Sequence, residues 1–192
     1  MIDRLMAHFR LFGTVTIDEA ALIEQTSVIK HYKKGDYLLK EGQQAQTTYF
    51  LFEGLVRQFQ WVNGEEKTFA FFVENDWVLA LGSSGEEVAH FNWICQEDCV
   101  ILVGNEEGAQ AIFKLYPHLE IIARKVVENS FAIFQNRVNN YLSDNPEQRY
   151  LRILQDTPSL LQRVPQYHLA SYIGVKAESL SRIKKRLALK KA

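Results

Sequence analysis

The sequence predicts an α+β protein, in which a small antiparallel β-sandwich or barrel precedes a largely helical C-terminal half. Between residues 27 and 73, short runs rich in β-branched and aromatic residues alternate with turn residues, a spacing typical of small antiparallel folds. After residue 105, apolar residues recur at intervals of three and four, as in amphipathic helices. At 192 residues, the chain is long enough for one large domain or two small ones.

The N-terminal segment, residues 1–26, is predicted to be helical, with Thr16 or Asp18 as a cap. Strands are predicted next, over residues 28–32, 37–40, 48–52, 55–62 and 67–73. Asn63-Gly64 predicts a hairpin between the last two, because both residues tolerate a positive φ. Residues 74–92 are predicted to be an inserted loop or short helix. Further strands are expected over residues 91–95 and 99–103.

A long helix is predicted over residues 117–142, after a shorter one that Asn105 caps. Pro117 starts it, and no glycine or proline interrupts it, so it would reach about 39 Å. We expect its slimmer apolar stripe to pair two subunits in parallel, because buried asparagines fix register. This stripe consists of Leu119, Ile122, Val126, Asn129, Ile133 and Asn136.

A bulkier stripe on the same helix is expected to cover the barrel. It consists of Val127, Phe131, Phe134, Val138 and Tyr141. The alternative is a single wide stripe that packs inside a monomer.

Two short amphipathic helices around a sharp turn are predicted near the end of the chain, after a break at residues 143–146 and a helix over residues 147–155. Pro165 opens the first helix, and Gly174 supplies the backbone freedom of the turn. Apolar residues of both helices face each other, whereas the outer face of the second is polar and basic. This is the pattern of a DNA-reading helix-turn-helix. The alternative is an ordinary helical hairpin with a solvated basic face.

The distribution of charge favours DNA binding. Residues 176–192 contain seven basic residues and one acid, a net charge of +6, whereas the whole chain carries −1. A locally basic module on an acidic body is typical of contact with phosphates.

Other classes of protein are not expected. No apolar run approaches the length of a membrane span, and the charged N-terminal start has no signal-peptide core, so we expect a cytoplasmic protein without membrane contact. Cys95 and Cys99 are too few for an iron–sulfur cluster and, if they share one strand, too far apart to bridge. With no nucleophile–base pair, metal-ligand spacing or phosphate loop, neither an enzyme nor a cofactor or metal site is predicted.

The chain resembles the CRP/FNR family of bacterial transcription regulators over nearly its whole length. Residues 33–42 (KKGDYLLKEG) are similar to the start of the family's barrel, and residues 169–182 (LASYIGVKAESLSR) are similar to its helix-turn-helix. The resemblance implies a cyclic-nucleotide-binding-like barrel of the jelly-roll type in residues 1–116, a dimerisation helix in residues 117–142 and a winged-helix-like DNA-binding domain in residues 143–192. No sequence for the family's two-stranded wing follows the last helix.

The resemblance also implies which residues read DNA bases: Glu178, Ser181 and Arg182. Their chemistry agrees, because arginine can donate two hydrogen bonds to guanine and glutamate can accept one from cytosine. Phosphate contacts are expected from Lys176, Lys184, Lys185 and Arg186.

The family's usual ligand, cyclic AMP, is not expected to bind tightly. Its Gly-Glu and Arg-Ser signatures would fall near Val78-Leu79 and Val88-Ala89, and neither is present. Between Lys67 and Lys114 there is no lysine or arginine, and eight acids oppose an anionic ligand, even at a possible backbone nest in residues 82–85. A neutral or cationic effector could instead bind in a pocket lined by Trp77, Phe91, Trp93, Phe131 and Phe134, although these aromatic residues could equally form core.

The sequence thus predicts a cytoplasmic bacterial regulator that binds double-stranded DNA as a homodimer under the control of an unknown small molecule. RNA polymerase is a further candidate partner. The alternative is a ligand-binding or protein-interaction module that has lost DNA binding.

Overall fold

The structure is a computed structural model that describes residues 1–45, 47–79 and 88–189, without the side chains of residues 105 and 106. The possible nest in residues 82–85 and the cap at Asn105 lie outside the described residues. The N-terminal and central elements are α1 (Ile2–Arg10), α2 (Ile17–Thr26), β1 (Val28–Tyr32), β2 (Tyr37–Leu39), β3 (Thr47–Glu53), β4 (Val56–Val62), β5 (Glu65–Phe72), β6 (Trp77–Val78), β7 (Asn92–Cys95) and β8 (Cys99–Asn105). The C-terminal elements are α3 (Glu106–Leu115), α4 (Pro117–Ser143), α5 (Pro146–Asp156), α6 (Leu160–Arg163), α7 (Gln166–Tyr172) and α8 (Ala177–Leu189).

The strands form two four-stranded sheets, in the orders β1-β8-β3-β6 and β2-β7-β4-β5. The α+β class with antiparallel pairing is therefore confirmed. Of the two predicted arrangements, a sandwich or a barrel, the described residues form no closed barrel, because each sheet ends in edge strands. The predicted hairpin is present, and Asn63 and Gly64 at its turn have φ angles of 53° and 79°, as a tight hairpin turn requires.

Local signals at the helix starts explain several boundaries. Thr16 caps α2 in a capping box with Glu19, and Asn145 caps α5 in the same way with Gln148. Each cap satisfies backbone N–H groups that would otherwise lack partners. The N-terminal segment is thus two helices, not one. β6 was not predicted, because a two-residue strand carries no periodic signal.

Strand β3 is buried on both faces and so joins two apolar clusters. Tyr49 and Leu51 pack among residues of both sheets, whereas Phe50 and Phe52 pack beneath the N-terminal helices and the start of α4. Alternation of side chains along a strand explains this division. These clusters form the core of the first of two compact units, Met1–Gln58 with Phe71–Ile133.

The second unit comprises Phe59–Ala70, the outer part of the β4–β5 hairpin, and Phe134–Ala192. The boundary between the units thus lies inside α4, and the predicted three-part division of the chain stays a prediction. Leu169, Ile173 and Leu180 are almost completely buried in the second unit, as predicted from their spacing. Pro165 differs from its predicted place: it precedes α7 as the N-cap, with an extended ψ of 143°.

The arrangement of the two cysteines differs from the predicted one. Cys95 ends β7 and Cys99 begins β8, so a three-residue turn separates them and they do not share a strand. Both are free and buried. A hydrogen bond between the two thiols raises the pKa of Cys95 and lowers that of Cys99. The distance argument from the sequence therefore does not apply, because it assumed that residues 95–99 form one extended strand.

Candidate nucleic-acid interface and sensor cavity

Helix α8 presents the three predicted base-reading residues on one exposed face. Glu178, Ser181 and Arg182 are exposed, whereas Leu180 and Ile183 are buried beneath them. This division follows from the helical period, because residues three and four apart share a face. The arrangement leaves the three polar side chains available to a duplex.

The turn before α8 is fixed by close contacts. Gly174 has a φ of +74°, and a Cβ atom there would lie 2.6 Å from the Tyr141 hydroxyl. The Arg149 guanidinium donates a hydrogen bond of 2.6 Å to the carbonyl of Ile173 and lies 4.1 Å from the centre of the Tyr141 ring. Arg149 and Tyr141 therefore hold the turn that orients α8. The sequence had not indicated that either residue contacts this turn.

The four predicted phosphate-contacting residues differ in their surroundings. Lys176 and Lys185 are exposed, and Lys184 is half-buried. Arg186 instead forms an ion pair with Glu147, at the start of α5. A cleft of about 570 Å³ lies between the start of α5 and α8, with Arg182 and Arg186 among its lining residues.

A small cavity lies within the first unit. Its volume is about 250 Å³, slightly below the roughly 300–1,000 Å³ of most small-molecule sites. The described residues that line it are uncharged. They are Leu38, Leu39, Gln43, Gln44, Ala45, Thr47, Tyr49 and Trp93.

Hydrogen bonds fix the aromatic residues of this cavity. The Tyr49 hydroxyl donates to the carbonyl of Leu38 at 2.9 Å, and burial raises the pKa of Tyr49. The indole N–H of Trp93 donates to Oε1 of Gln58 at 3.2 Å. The Trp93 ring packs edge-on against Tyr49, with ring centres 6.1 Å apart. The cavity therefore has oriented polar groups and an aromatic wall.

The loop between β2 and β3 is held against residues 88–92. The backbone N–H of Gly42 donates to Ala89, and that of Ala89 donates to Gln43, both at 2.8 Å. The backbone N–H of Glu41 donates to the side chain of Asn92 at 3.1 Å. These bonds place Gln43 and Gln44 at the cavity. In the sequence, these two glutamines directly follow the Glu41-Gly42 turn, but they match no ligand-binding motif. The sequence therefore did not predict that they line a cavity.

The middle of the chain is similar to one family of known proteins. Residues 29–116 match the cyclic nucleotide-binding domain family. No curated protein matches the chain significantly.

Solved structures show the same fold over most of the chain. The c-di-GMP responsive global regulator CLP of Xanthomonas campestris is 18% identical, with a TM-score of 0.68 over 91% of this chain and 93% of that one. FixK2 of Bradyrhizobium japonicum is 15% identical, with a TM-score of 0.68 over 85% of each chain. A protein of Eubacterium rectale assigned to the CRP/FNR family of transcriptional regulators is 14% identical, with a TM-score of 0.67 over 96% and 88%. The resemblance to CRP/FNR regulators is thus confirmed at the level of the fold.

The predicted effector pocket assembles only in part. Phe91 and Trp93 pack together, with ring centres 5.1 Å apart, and Trp93 lines the cavity. Trp77 packs in the other cluster, 5.1 Å from Phe50. Phe131 and Phe134 are about half exposed on α4. The five aromatic residues thus lie in three different places, which their aromatic character in the sequence could not distinguish.

A buried arginine of the first unit faces away from the cavity that Trp93 lines. Arg57 in β4 is only 2% exposed, but its neighbours Val56 and Gln58 contact the Trp93 side of the sheet. Alternation therefore directs Arg57 to the opposite face. Sequence reasoning overlooked Arg57, because a single arginine in a strand is usually exposed.

The first half of the slimmer stripe of α4 is buried within the chain, whereas the bulkier stripe is exposed. Leu119, Ile122 and Val126, in the slimmer stripe, are each about 5% exposed and pack in the cluster beneath α1 and α2. The prediction that the bulkier stripe covers the sheets is wrong. Its members are exposed by 40% or more: Val127, Phe131, Phe134, Val138 and Tyr141.

Metal-binding clusters and membrane spans are both absent from the part of the chain that the structure describes. Its residues contain no cluster of three or more His, Cys, Asp or Glu side chains able to hold a metal ion. No helix among the described residues has both the length and the apolar character needed to cross a membrane.

Proposed function

We propose that the chain is a DNA-binding transcription regulator of the CRP/FNR type, controlled by a small molecule other than cyclic AMP. One observation carries the DNA-binding part: α8 exposes Glu178, Ser181 and Arg182 on one face while its opposite face is buried. These three side chains offer the donors and acceptors that distinguish base pairs in the major groove. Lys176, Lys184 and Lys185 would contact the phosphates beside them.

The cavity next to Trp93 and Tyr49 is the proposed effector site. Its described lining is uncharged, and an anionic phosphodiester would require a cation or a ring of backbone N–H groups there. A small neutral molecule with hydrogen-bonding groups suits the glutamines, Tyr49 and Thr47 better. An effector of this kind would shift the regulator between two arrangements, one that binds DNA and one that does not.

The exposed bulkier stripe of α4 is the proposed dimer seam. Its spacing of three and four continues over four helical turns, the length that a helix pair needs to bury a continuous seam. A dimer is required by the proposed mechanism, because two recognition helices about 34 Å apart read successive turns of DNA. Pairing through Phe131 and Phe134 replaces the asparagine-bearing seam predicted from the sequence.

Selection of DNA sequences from a random pool with the purified full chain tests this function. We expect enrichment of a two-fold symmetric site with specific affinity well above non-specific affinity. Enrichment of no sequence, with weak binding only, would contradict the proposal.

One observation favours the alternative, a module without DNA binding. The ion pair of Arg186 with Glu147 occupies one of the predicted phosphate contacts. Titration with small neutral compounds, followed by tryptophan fluorescence, examines the effector site separately from DNA. Saturable binding there, without any DNA selection, would support the alternative.

A further inference from the structure

The hydroxyl group of Ser171, on α7, makes two hydrogen bonds with the backbone of β5. It accepts one from the N–H of Thr68 at 3.0 Å and donates one to the carbonyl of Glu66 at 3.1 Å. All three residues belong to the second compact unit. A single side chain thus joins the outer part of the β4–β5 hairpin to the first helix of the helix-turn-helix.

The position of β5 explains why a serine can do this. β5 is an edge strand of its sheet, and the N–H and C=O groups on the outer side of an edge strand lack strand partners. Residues 66 and 68 point the same way along the strand, so their carbonyl and N–H lie side by side. The hydroxyl of Ser171 satisfies both groups, as a neighbouring strand would.

The hairpin also places negative charge beside the helix-turn-helix. Its turn is followed by Glu65 and Glu66, and Glu65 forms an ion pair of 2.6 Å with Lys67. A hydrogen bond from Lys67 lowers the pKa of Glu65, and the charge of Lys176 lowers it further. Because the hydroxyl of Ser171 is hydrogen-bonded to the carbonyl of Glu66, these acids lie beside α7, the helix that precedes the proposed recognition helix.

The inner part of the same hairpin is connected to the cavity. Gln58 of β4 accepts the hydrogen bond from the indole of Trp93, and Trp93 lines the cavity. Strand β4 continues without a break from Gln58 to the turn at Asn63. A displacement of Trp93 by a ligand would therefore act on the strand that leads to the contact with Ser171.

We propose that the β4–β5 hairpin is an autoinhibitory latch, which Ser171 holds closed and which opens when a ligand enters the cavity. While the latch is closed, Ser171 holds the acidic hairpin against α7, and its negative charge repels DNA phosphate. When it opens, this charge moves away from the phosphates. This inference rests on the proposed DNA-binding function.

Ser171→Ala tests the latch, because it removes both hydrogen bonds. In the full chain without added effector, we expect about a tenfold gain in affinity for the selected DNA site, the consequence of losing two ordinary hydrogen bonds from the closed state. Ser159→Ala is the matched control, since Ser159 is exposed and makes no side-chain capping bond to α6. Fluorescence anisotropy with labelled duplex gives the affinities.

Hydrogen exchange at the amide of Thr68 shows whether the contact itself has been broken. Exchange should become faster in Ser171→Ala and remain unchanged in Ser159→Ala. Faster exchange with unchanged or weaker DNA binding would overturn the latch while leaving the proposed function intact. Absence of DNA binding by every protein, wild type included, would overturn both.

Glu65→Gln provides a second variant that leaves both bonds of Ser171 in place. Removal of the acid should increase DNA affinity by about threefold at low salt, and the gain should disappear at high salt, where the charges are screened. An equal affinity at low salt would contradict repulsion between Glu65 and DNA phosphate. This comparison remains decisive if Ser171→Ala does not fold.

Discussion

The Tyr141 hydroxyl lies 2.6 Å from the place that a Cβ atom on Gly174 would occupy. The backbone of Gly174 also has a φ of +74°, which L-residues with side chains rarely adopt. Gly174→Ala should therefore lower the free energy of unfolding by about 2 kcal/mol or more, combining backbone strain with the contact to Tyr141. Denaturant unfolding measured by circular dichroism gives this value.

Gly64→Ala separates these two contributions. Gly64 has a φ of +79°, but no atom lies within 4 Å of the place that its Cβ atom would occupy, so only the backbone strain applies there. A loss of about 1 kcal/mol is expected for Gly64→Ala. If both variants lose the same free energy, Tyr141 does not restrict the turn.

The ion pair between Glu147 and Arg186 is expected to weaken DNA binding. Glu147→Gln removes the carboxylate charge and frees the guanidinium for a phosphate. The plot of log affinity against log salt should then become steeper by up to about one unit. Glu120→Gln, on the first turn of α4, is the control and should leave the slope unchanged. A slope for Glu147→Gln equal to that of the wild type would show that Arg186 makes no phosphate contact.

The bulkier stripe of α4 should hold the dimer together. Phe131 and Phe134 are 47% and 52% exposed in the single chain, so charged replacements need not disturb its core. The double variant Phe131→Glu/Phe134→Glu should elute as a folded monomer in size exclusion with light scattering, because the paired acids would face each other across the seam. The variant Asn129→Glu/Asn136→Glu is the matched control, since both asparagines are exposed. If only the asparagine variant dissociates into monomers, the dimer seam is the one predicted from the sequence.

The carboxylate of Glu19 makes the stability of the fold depend on pH. Burial by itself raises the pKa of Glu19, but hydrogen bonds from Thr16 and the nearby His118 outweigh it, and the net pKa is lowered. Because the pKa is lower in the folded state, the ionised carboxylate stabilises the fold at pH values above the unfolded-state pKa of about 4.5. This stabilisation is lost as the pH falls below that value. Thermal unfolding between pH 7 and pH 3 should therefore show a smaller decline for Glu19→Gln than for wild type. Glu24→Gln, an exposed position on the same helix, should decline as the wild type does.

The sequence predicted those features that depend on local chemistry or on a regular period. The Asn63-Gly64 turn, the cap at Thr16 and the start of α4 at Pro117 each follow from residues in immediate succession. The buried faces of α7 and α8 follow from spacing, with Leu169 and Leu180 as examples. Local signals of this kind need no knowledge of distant contacts.

Features that depend on distant contacts could not be predicted in the same way. Which stripe of α4 is buried depends on α1 and α2, which cover Ile122 and its neighbours. Likewise, Trp77 and Trp93 have similar sequence surroundings, yet they belong to different clusters. The contact between Ser171 and β5 joins residues more than one hundred positions apart, so no local sequence pattern could predict it.

The specificity of Arg182 tests the central claim most directly. Affinities of wild type, Arg182→Ala and Lys185→Ala are compared on the selected DNA site and on the same site with one guanine pair replaced. We predict that wild type discriminates by about 1–3 kcal/mol, that Arg182→Ala loses this discrimination, and that Lys185→Ala binds both duplexes more weakly but keeps it. Undiminished discrimination by Arg182→Ala would contradict the assignment of α8 as the helix that reads the bases.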